Sequence, residues 1–455
     1  MMTRRIEFYS TNDPGRKQPP LDFADALMKG LAPDKGLYMA DRDALPRLTP
    51  GDIEAFRSMS YSKIAHRVLM PFVEGRVPAD IFRGICEDAY DYEIPVENYA
   101  PGRHLLRLDR GPTASFKDFA ARMMARLMRH FLREQGRRVT ILTATSGDTG
   151  GAVASAFHSL DNVIVVVLFP GSEVSDRQRR QMTTLGGNVR AINVDAKFDD
   201  CQALVKHAFV DPDLASLDLS SANSINVGRL LPQSVYYFYA ASRVPAGSPL
   251  WMCVPSGNFG NLMGGLLAKH MGLRVARFIA AVNENDEFPV YLRTTRYQPV
   301  VPSRNCLSNA MNVGHPSNLA RLIALYGGAM NEEGKILKTP DLEAIRRDIV
   351  SADVTDTETR EAIAGAWRDH HIIIEPHGAV GYKALDKLGV GDDCAAILLE
   401  TAHPAKFPDV IRETIGIDPE PPPSMACQET AAEEQHECPN DYASFKPLLK
   451  SLTRS

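Results

Sequence analysis

Apolar positions change rhythm along this chain. Through the first hundred residues they recur at helical spacing between proline breaks. Ile64, Val68, Leu69 and Phe72 fall on one face of the stretch from 58 to 73, while Pro19-Pro20 and Pro46 interrupt the pattern. From about Leu105 short β-branched runs take over. Those at 139–144, 163–169 and 189–194 read as strands, with further strands expected at 250–254, 277–283, 371–375 and 394–400. These runs are continuously apolar, and helix-length segments separate them, as for strands buried on both faces of a parallel sheet. The pattern predicts an α/β architecture. Residues 291–334 are less regular and are expected to form a mobile or inserted region. From Asp418 the chain reads Pro-Glu-Pro-Pro-Pro and then Glu-rich sequence, expected to be a linker and a weakly packed appendage.

Composition narrows the function. The 455 residues suggest two or three domains, and 44% hydrophobic with 24% charged residues leaves ample material for a core. A net charge of −5 argues against a general nucleic-acid binder, whose phosphate contacts need a basic surface. It leaves an anionic small molecule open, because local donors decide that. No apolar run approaches the roughly 20 residues of a membrane span, and no secretory leader is expected from residues 1–10. Seven scattered cysteines without a CxxC pair argue against a zinc ribbon and suit a reducing compartment, so the cytoplasm is the expected location.

Two glycine-rich loops stand where ligands of a parallel sheet sit, between a strand's carboxyl end and a helix. One is Thr145-Ser146-Gly147-Asp148-Thr149-Gly150-Gly151; the other is Pro255-Ser256-Gly257-Asn258-Phe259-Gly260-Asn261. Each could be a plain tight turn. Two in one protein, rich in hydroxyl and amide groups, favour an anionic ligand held by backbone amides. Neither has the GxxxxGKS/T spacing of a P-loop or the GxGxxG spacing of a dinucleotide site, so phosphate binding without a nucleotide is expected.

Lys117 opens an amphipathic helix. Phe116, Phe119, Ala120, Met123, Met124 and Leu127 form its apolar stripe, with Arg122, Arg126, Arg129 and Arg133 opposite. Ser115 is expected to cap it, with Asp118 completing a capping box. Most lysines so placed are simply solvated. A desolvated one loses its proton more readily, and a neutral amine can form an imine with a carbonyl cofactor such as pyridoxal 5′-phosphate.

The motifs Gly-Pro-Thr-Ala-Ser-Phe-Lys-Asp-Phe (111–119), Thr-Ser-Gly-Asp-Thr-Gly (145–150), Asn-Ser-Ile-Asn (223–226) with Arg229, Pro-Ser-Gly-Asn-Phe-Gly (255–260) and Thr-Ala-His-Pro-Ala-Lys-Phe (401–407) together resemble the threonine synthase family. Leu307-Ser-Asn-Ala-Met311, Glu375-Pro-His377 and the opening from Asp22 to Tyr38 also fit. The resemblance implies a fold-type II pyridoxal-phosphate enzyme with two parallel-sheet lobes and a mainly helical N-terminal domain. It divides the chain into residues 1–100, a catalytic α/β region at 101–417 and a tail at 418–455. It implies conversion of O-phospho-L-homoserine and water to L-threonine and phosphate by a monomer or homodimer. Neither metal nor nucleic-acid nor membrane partner is implied.

By resemblance, Lys117 is the Schiff-base lysine, and Gly257, Asn258, Phe259, Gly260 and Asn261 hold the cofactor phosphate. Thr401 faces the pyridine nitrogen and Asp148 lies beside the ring. Ser146, Gly147 and Thr149 take the substrate carboxylate, and Ser115, Asn226 and Arg229 are candidates for the substrate phosphate. Asp109-Arg110 stand before Gly111 where related sequences often carry an aromatic residue and a histidine. Lys117, freed by transimination, is the base tethered at the right carbon. A hydroxyl at Thr401 would leave the pyridine nitrogen largely unprotonated and favour elimination and addition over transamination. Arg229 offers a planar fork to a departing dianion, unless it forms a surface ion pair. His377 and His403 read as satisfied loop histidines. The alternatives are a related phospholyase or amino-acid dehydratase on the same scaffold, or a catalytically silent paralogue.

Overall fold

A computed structural model describes residues 5–145, 147–245, 247–391 and 393–453. Two sheets organise the α/β region. The first runs in the order Ile349–Asp353, Arg277–Val282, Leu250–Pro255, Ala395–Glu400, Arg103–Arg107, Val96–Ala100, parallel except for its last pair. The second runs His436–Cys438, Val189–Val194, Val163–Pro170, Val139–Ala144, Leu219–Ser220, parallel throughout. Strands Val139–Ala144 and Ala395–Glu400 are buried along their whole length, as continuous apolar runs require.

Three expectations are corrected. Residues 371–375 form no strand: Ile374 is buried, but Glu375 caps the Pro376–Lys387 helix, and Ile349–Asp353 occupies the sheet edge. Residues 291–334 are built into the molecule, with Leu319, Leu322 and Ile323 fully buried in the main core. The tail packs well too. His436–Cys438 adds a parallel strand beside Ile192–Val194, and Phe445 and Leu449 are fully buried in a cluster with Leu204, Val205 and Ala208.

The N-terminal helices Phe23–Lys29, Tyr61–Val73 and Ala79–Ala89 share one core with the Lys117–Gln135 helix. Phe119, Met123 and Met124 of that helix are fully buried, and the Tyr90 hydroxyl donates to the Phe119 carbonyl at 3.0 Å. The rings of Tyr61, Tyr90, Tyr92 and Tyr236 surround Phe119. The helix that carries Lys117 is thus clamped from behind, which fixes where its first residue points.

Candidate active site

Lys117 is positioned by two chain segments zipped together. Ser115 bridges to Ala402, the Phe116 amide donates to the Thr401 carbonyl at 2.9 Å, and the His403 amide donates to the Ala114 carbonyl at 3.0 Å. The expected capping box is absent. Asp118 accepts from the Thr113 amide and hydroxyl at 2.9 and 2.6 Å, and the buried Ser115 hydroxyl has no hydrogen-bond partner among the described residues. The reason is local: Ala114 takes a left-handed turn, φ +54°, which lets Asp118 cap the loop instead. Lys117 is not a solvated surface lysine. Its side chain is 14% exposed, its Nζ lies over the Phe116 ring and 3.8 Å from Asp148 Oδ2. Burial pulls its ammonium below the usual lysine range; Asp148 opposes this, and the cations of Lys406 and Arg229 reinforce it.

Asp148 begins the Asp148–Phe157 helix after a tightly wound loop. The Thr145 hydroxyl accepts from the Gly147 and Gly150 amides at 2.9 and 2.8 Å. Gly147, at φ +130°, packs so closely on the Gln178 carboxamide that an added Cβ would lie 2.5 Å from it. Ser146 lies outside the described residues, and Thr149 stands half-buried one residue after Asp148. Asp148 receives the fully buried Lys406 Nζ at 2.8 Å and Gln178 Nε2 at 3.0 Å. Burial alone would raise its carboxyl, but Lys406 and Lys117 hold it well below the ordinary carboxylate range.

The second loop is a cradle. An added Cβ on Gly257 would meet the Met311 Cα at 2.7 Å, so only glycine lets residues 310–311 approach. Phe259 is left-handed, φ +59°, with its ring buried against Phe288. Gly260 opens the Gly260–His270 helix. Asn258 is committed at both ends of its side chain, to Ser224 Oγ at 2.7 Å and the Ser317 amide at 2.6 Å. The Tyr236 and Tyr237 hydroxyls donate to Asn261 Oδ1 at 2.6 and 2.7 Å, while the buried Asn261 Nδ2 has no partner.

Between these lies a polar seam. The Thr401 hydroxyl donates to Glu375 Oε1 at 3.3 Å, and Glu375 Oε2 lies 2.5 Å from His377 Nδ1. The Ala310 amide donates to His377 Nε2 at 3.1 Å, which fixes the ring with its proton on Nδ1, toward Glu375. His377 is therefore satisfied, though on a helix N-terminus and not in a loop. His403 caps the Ala405 amide, and burial pulls its imidazole down to about 4. Glu400, behind Glu375, is pushed well above the carboxylate range by burial and by that neighbour.

Arg229 forms no surface ion pair. It is 4% exposed, donates to the Ala222 carbonyl at 2.6 Å and leaves its Nε unpartnered; burial pulls its guanidinium down to about 10. Asn226 is fully buried and structural. Its amide donates to the Leu27 and Ser221 carbonyls, and its oxygen caps Gly228, so no part of it is free for a substrate phosphate. Asp109, before the Gly111 motif, is buried and paired with Arg107. Residues not singled out by sequence also converge here. Lys406 and Glu375 lay within recognised motifs, whereas Gln178 and the fully buried Arg321, which donates to the Tyr38, Ser224 and Ile225 carbonyls, carried no signal.

These contacts run as a chain from Lys117 through Thr401, Glu375, His377, residues 310–311, Gly257 and Asn258 to Ser224. A desolvated amine, a glycine cradle with an unpartnered amide, an unpartnered Ser115 hydroxyl and a Thr401 hydroxyl on Glu375 fit pyridoxal 5′-phosphate. Such a ligand carries an aldehyde, a phosphate and a ring nitrogen.

Family models agree. One described as pyridoxal-phosphate dependent enzyme matches residues 103–399, threonine synthase N terminus matches 7–90, and threonine synthase, C-terminal matches 378–448. The chain is 38% identical over 433 residues to a threonine synthase of Escherichia coli, covering 94% of this chain and 96% of that one. It is 36% identical to one of Pseudomonas aeruginosa over 95% of this chain and 96% of that one. Among solved structures, a PLP-bound threonine synthase from Brucella melitensis superposes with a TM-score of 0.90 at 34% identity, covering 99% of this chain and all of that one. The Escherichia coli threonine synthase superposes with a TM-score of 0.87 at 35% identity, covering 98% and 100%.

Proposed function

Because this chain belongs to the threonine synthase family of fold-type II pyridoxal-phosphate-dependent lyases, we propose that it converts O-phospho-L-homoserine and water into L-threonine and phosphate. Pyridoxal 5′-phosphate, when bound, supplies an aldehyde for a lysine and a ring that draws off the charge left by the departing α-proton. The observation that carries the reading is Lys117, an amine desolvated beside one carboxylate and two further cations. Lys117 holds the cofactor and afterwards moves protons at the substrate carbons through Nζ. Gly257 to Asn261 would hold the cofactor phosphate, and Thr401 would meet the ring nitrogen. Asp148 steadies the amine; Gly147, Ser146 and Thr149 take the substrate carboxylate.

Arg229 binds the phosphate that leaves Cγ. A buried guanidinium that makes no ion pair among the described residues, with Asp118 acting on it only through space, supports this, because such a charge is costly until an anion arrives. Ser115, with its free hydroxyl, contributes to the same end of the site. Asn226 acts by shaping the loop before Arg229, through its cap on Gly228. Seven free thiols are consistent with work in the cytoplasm, and among the described residues no helix is long and apolar enough to cross a membrane.

The test is a paired assay. The purified protein with pyridoxal 5′-phosphate should absorb near the violet edge and release phosphate from O-phospho-L-homoserine with formation of threonine. Ammonia release from serine or threonine at a comparable kcat/KM would instead make it a dehydratase.

A further inference from the structure

One short helix, Asp176–Thr183, stands between the tail and the site. It looks like a surface element, with three arginines in eight residues, yet Gln178 and Gln181 are fully buried beside Met182. Gln178 donates to Asp148 at 3.0 Å, and its oxygen accepts from Asn309 at 3.3 Å and from the Ser175 amide at 3.1 Å. Gly147 packs flat on the same carboxamide. Gln181 donates to the Thr113 carbonyl at 3.0 Å, in the loop that leads to Lys117, and Arg177 reaches the Ala405 carbonyl next to Lys406. This helix therefore touches four of the site's loops.

Its outward face belongs to the tail. Glu433 takes Arg179 at 2.9 Å, Arg180 at 2.7 Å and the Thr183 hydroxyl at 2.7 Å, and the Glu434 amide donates to the Thr183 carbonyl at 2.7 Å. Arg180 also donates to the Gln428 and Ala431 carbonyls at 2.9 and 2.8 Å, and Arg177 pairs with Glu429 at 3.1 Å. These are charge-assisted, multiply donated bonds to one carboxylate, the class that fixes geometry as well as adding energy. The far end of the tail is anchored elsewhere, through Phe445, Leu449 and the pair of Lys446 with Asp211 and Asp213.

We propose that the C-terminal tail is a brace for the active site, in which Glu433 holds the Asp176–Thr183 helix and Gln178 passes that position to Asp148 and the 307–311 loop. Both are positioning residues; neither touches the reacting atoms. The inference rests on Lys117 and Asp148 being the working pair of the proposed reaction. A small displacement of such a pair costs rate out of proportion to its size, since the reacting groups must be held in near-attack geometry.

The test is a double-mutant cycle on the full chain loaded with pyridoxal 5′-phosphate, reading kcat, KM and the visible circular dichroism of the bound cofactor. Glu433→Ala should lower kcat about 5- to 10-fold, change KM by less than about 2-fold, and alter the visible dichroism while leaving the absorbance in place. Gln178→Met should cost more, and in its background Glu433→Ala should cost at most about 2-fold further, because both act along one line. Lys446→Ala, a tail ion pair remote from the helix, should leave kcat and dichroism as in the parent.

The brace is overturned if Glu433→Ala lowers only the melting temperature, as Lys446→Ala would, or if the two effects multiply in the double variant. Should Gln178→Met fail to fold, the Glu433→Ala against Lys446→Ala comparison decides alone. Dichroism needs only bound cofactor, so it reports on the brace even if the parent protein releases no phosphate from O-phospho-L-homoserine, the outcome that would sink the proposed reaction instead.

Discussion

Two groups of buried cations lie around this site, and they are balanced differently. Lys117 and Lys406 both pair with the carboxylate of Asp148, at 3.8 and 2.8 Å, and Glu375 acts on Lys117 from farther off. Arg229 and Arg321 make no ion pair with a carboxylate among the described residues; carbonyl oxygens and the Asn318 side chain accept their bonds, and Asp118 acts on Arg229 only through space. Burial pulls both guanidiniums down, to about 10 and about 9. The first group is offset by a carboxylate in direct contact, so a proton can leave or return to Lys117 at modest cost. The second lacks a carboxylate in direct contact, which suits a region that waits for a phosphate. Proton chemistry and anion binding thus occupy neighbouring parts of one site because their charge balances differ.

The largest effect should come from the lysine itself. Lys117→Ala should lose the violet-edge absorption and at least about 10³-fold of phosphate release, since imine formation and proton transfer depend on one amine. Retained absorption would place the reactive amine elsewhere. Next, Arg229→Met should lower kcat/KM by about 10²-fold, the size of a lost charge-assisted pair, and weaken competitive inhibition by inorganic phosphate. Arg229→Lys should recover only part of it. Equal phosphate inhibition in parent and variant would remove Arg229 from the anion side of the comparison.

The balanced side is tested by pH. Burial lowers the Lys117 pKa, so the working, uncharged amine grows as pH rises through that lowered value, and activity falls on the acid side. Lys406→Met removes a neighbouring cation and frees Asp148 to attract the Lys117 proton. Both changes raise the Lys117 pKa, so the acid limb of the kcat profile should move to higher pH. A limb that stays in place would show that Lys406 does not tune the amine. Asp148, held low, contributes stability that is complete above the ordinary carboxylate range near about 4 and is lost as pH falls through its lowered value. The smallest effect belongs to Asn226→Ala. It should lower stability by about 1–2 kcal/mol, the cost of a lost cap, with KM for the phosphorylated substrate changed less than about 2-fold.

Much of the fold was legible because strands buried on both faces must be apolar throughout. Residues 163–169 and 250–254 met that requirement and became strands, and 139–144 and 189–194, largely apolar around Thr140, Thr143, Arg190 and Asn193, did so too. The strand at Arg103–Arg107 escaped notice because arginines flank a histidine and only two leucines, and 371–375 read as a strand because its isoleucines carry the same apolar signature without pairing. The tail misled through its glutamates. Low hydrophobicity reads as disorder, but Glu433 has arginine partners on a distant helix, and Phe445 and Leu449 supply the burial.

The site divides along the same line. Lys117, the two glycine loops and Thr401 were readable because each chemistry demands its residue type at a loop or helix start: an amine for an aldehyde, glycine for close backbone approach, a hydroxyl for a ring nitrogen. Which partner each polar side chain takes was not readable. Asn226 turned inward to cap its own helix, Ser115 was left free by Asp118, and Gln178, in an arginine-rich stretch, became the link between the tail and Asp148. Local patterns carry residue chemistry and periodicity, because both act over a few positions. Pairings between residues such as 148 and 406, or 179 and 433, depend on which loops the sheets bring to one edge, and only the assembled core sets that.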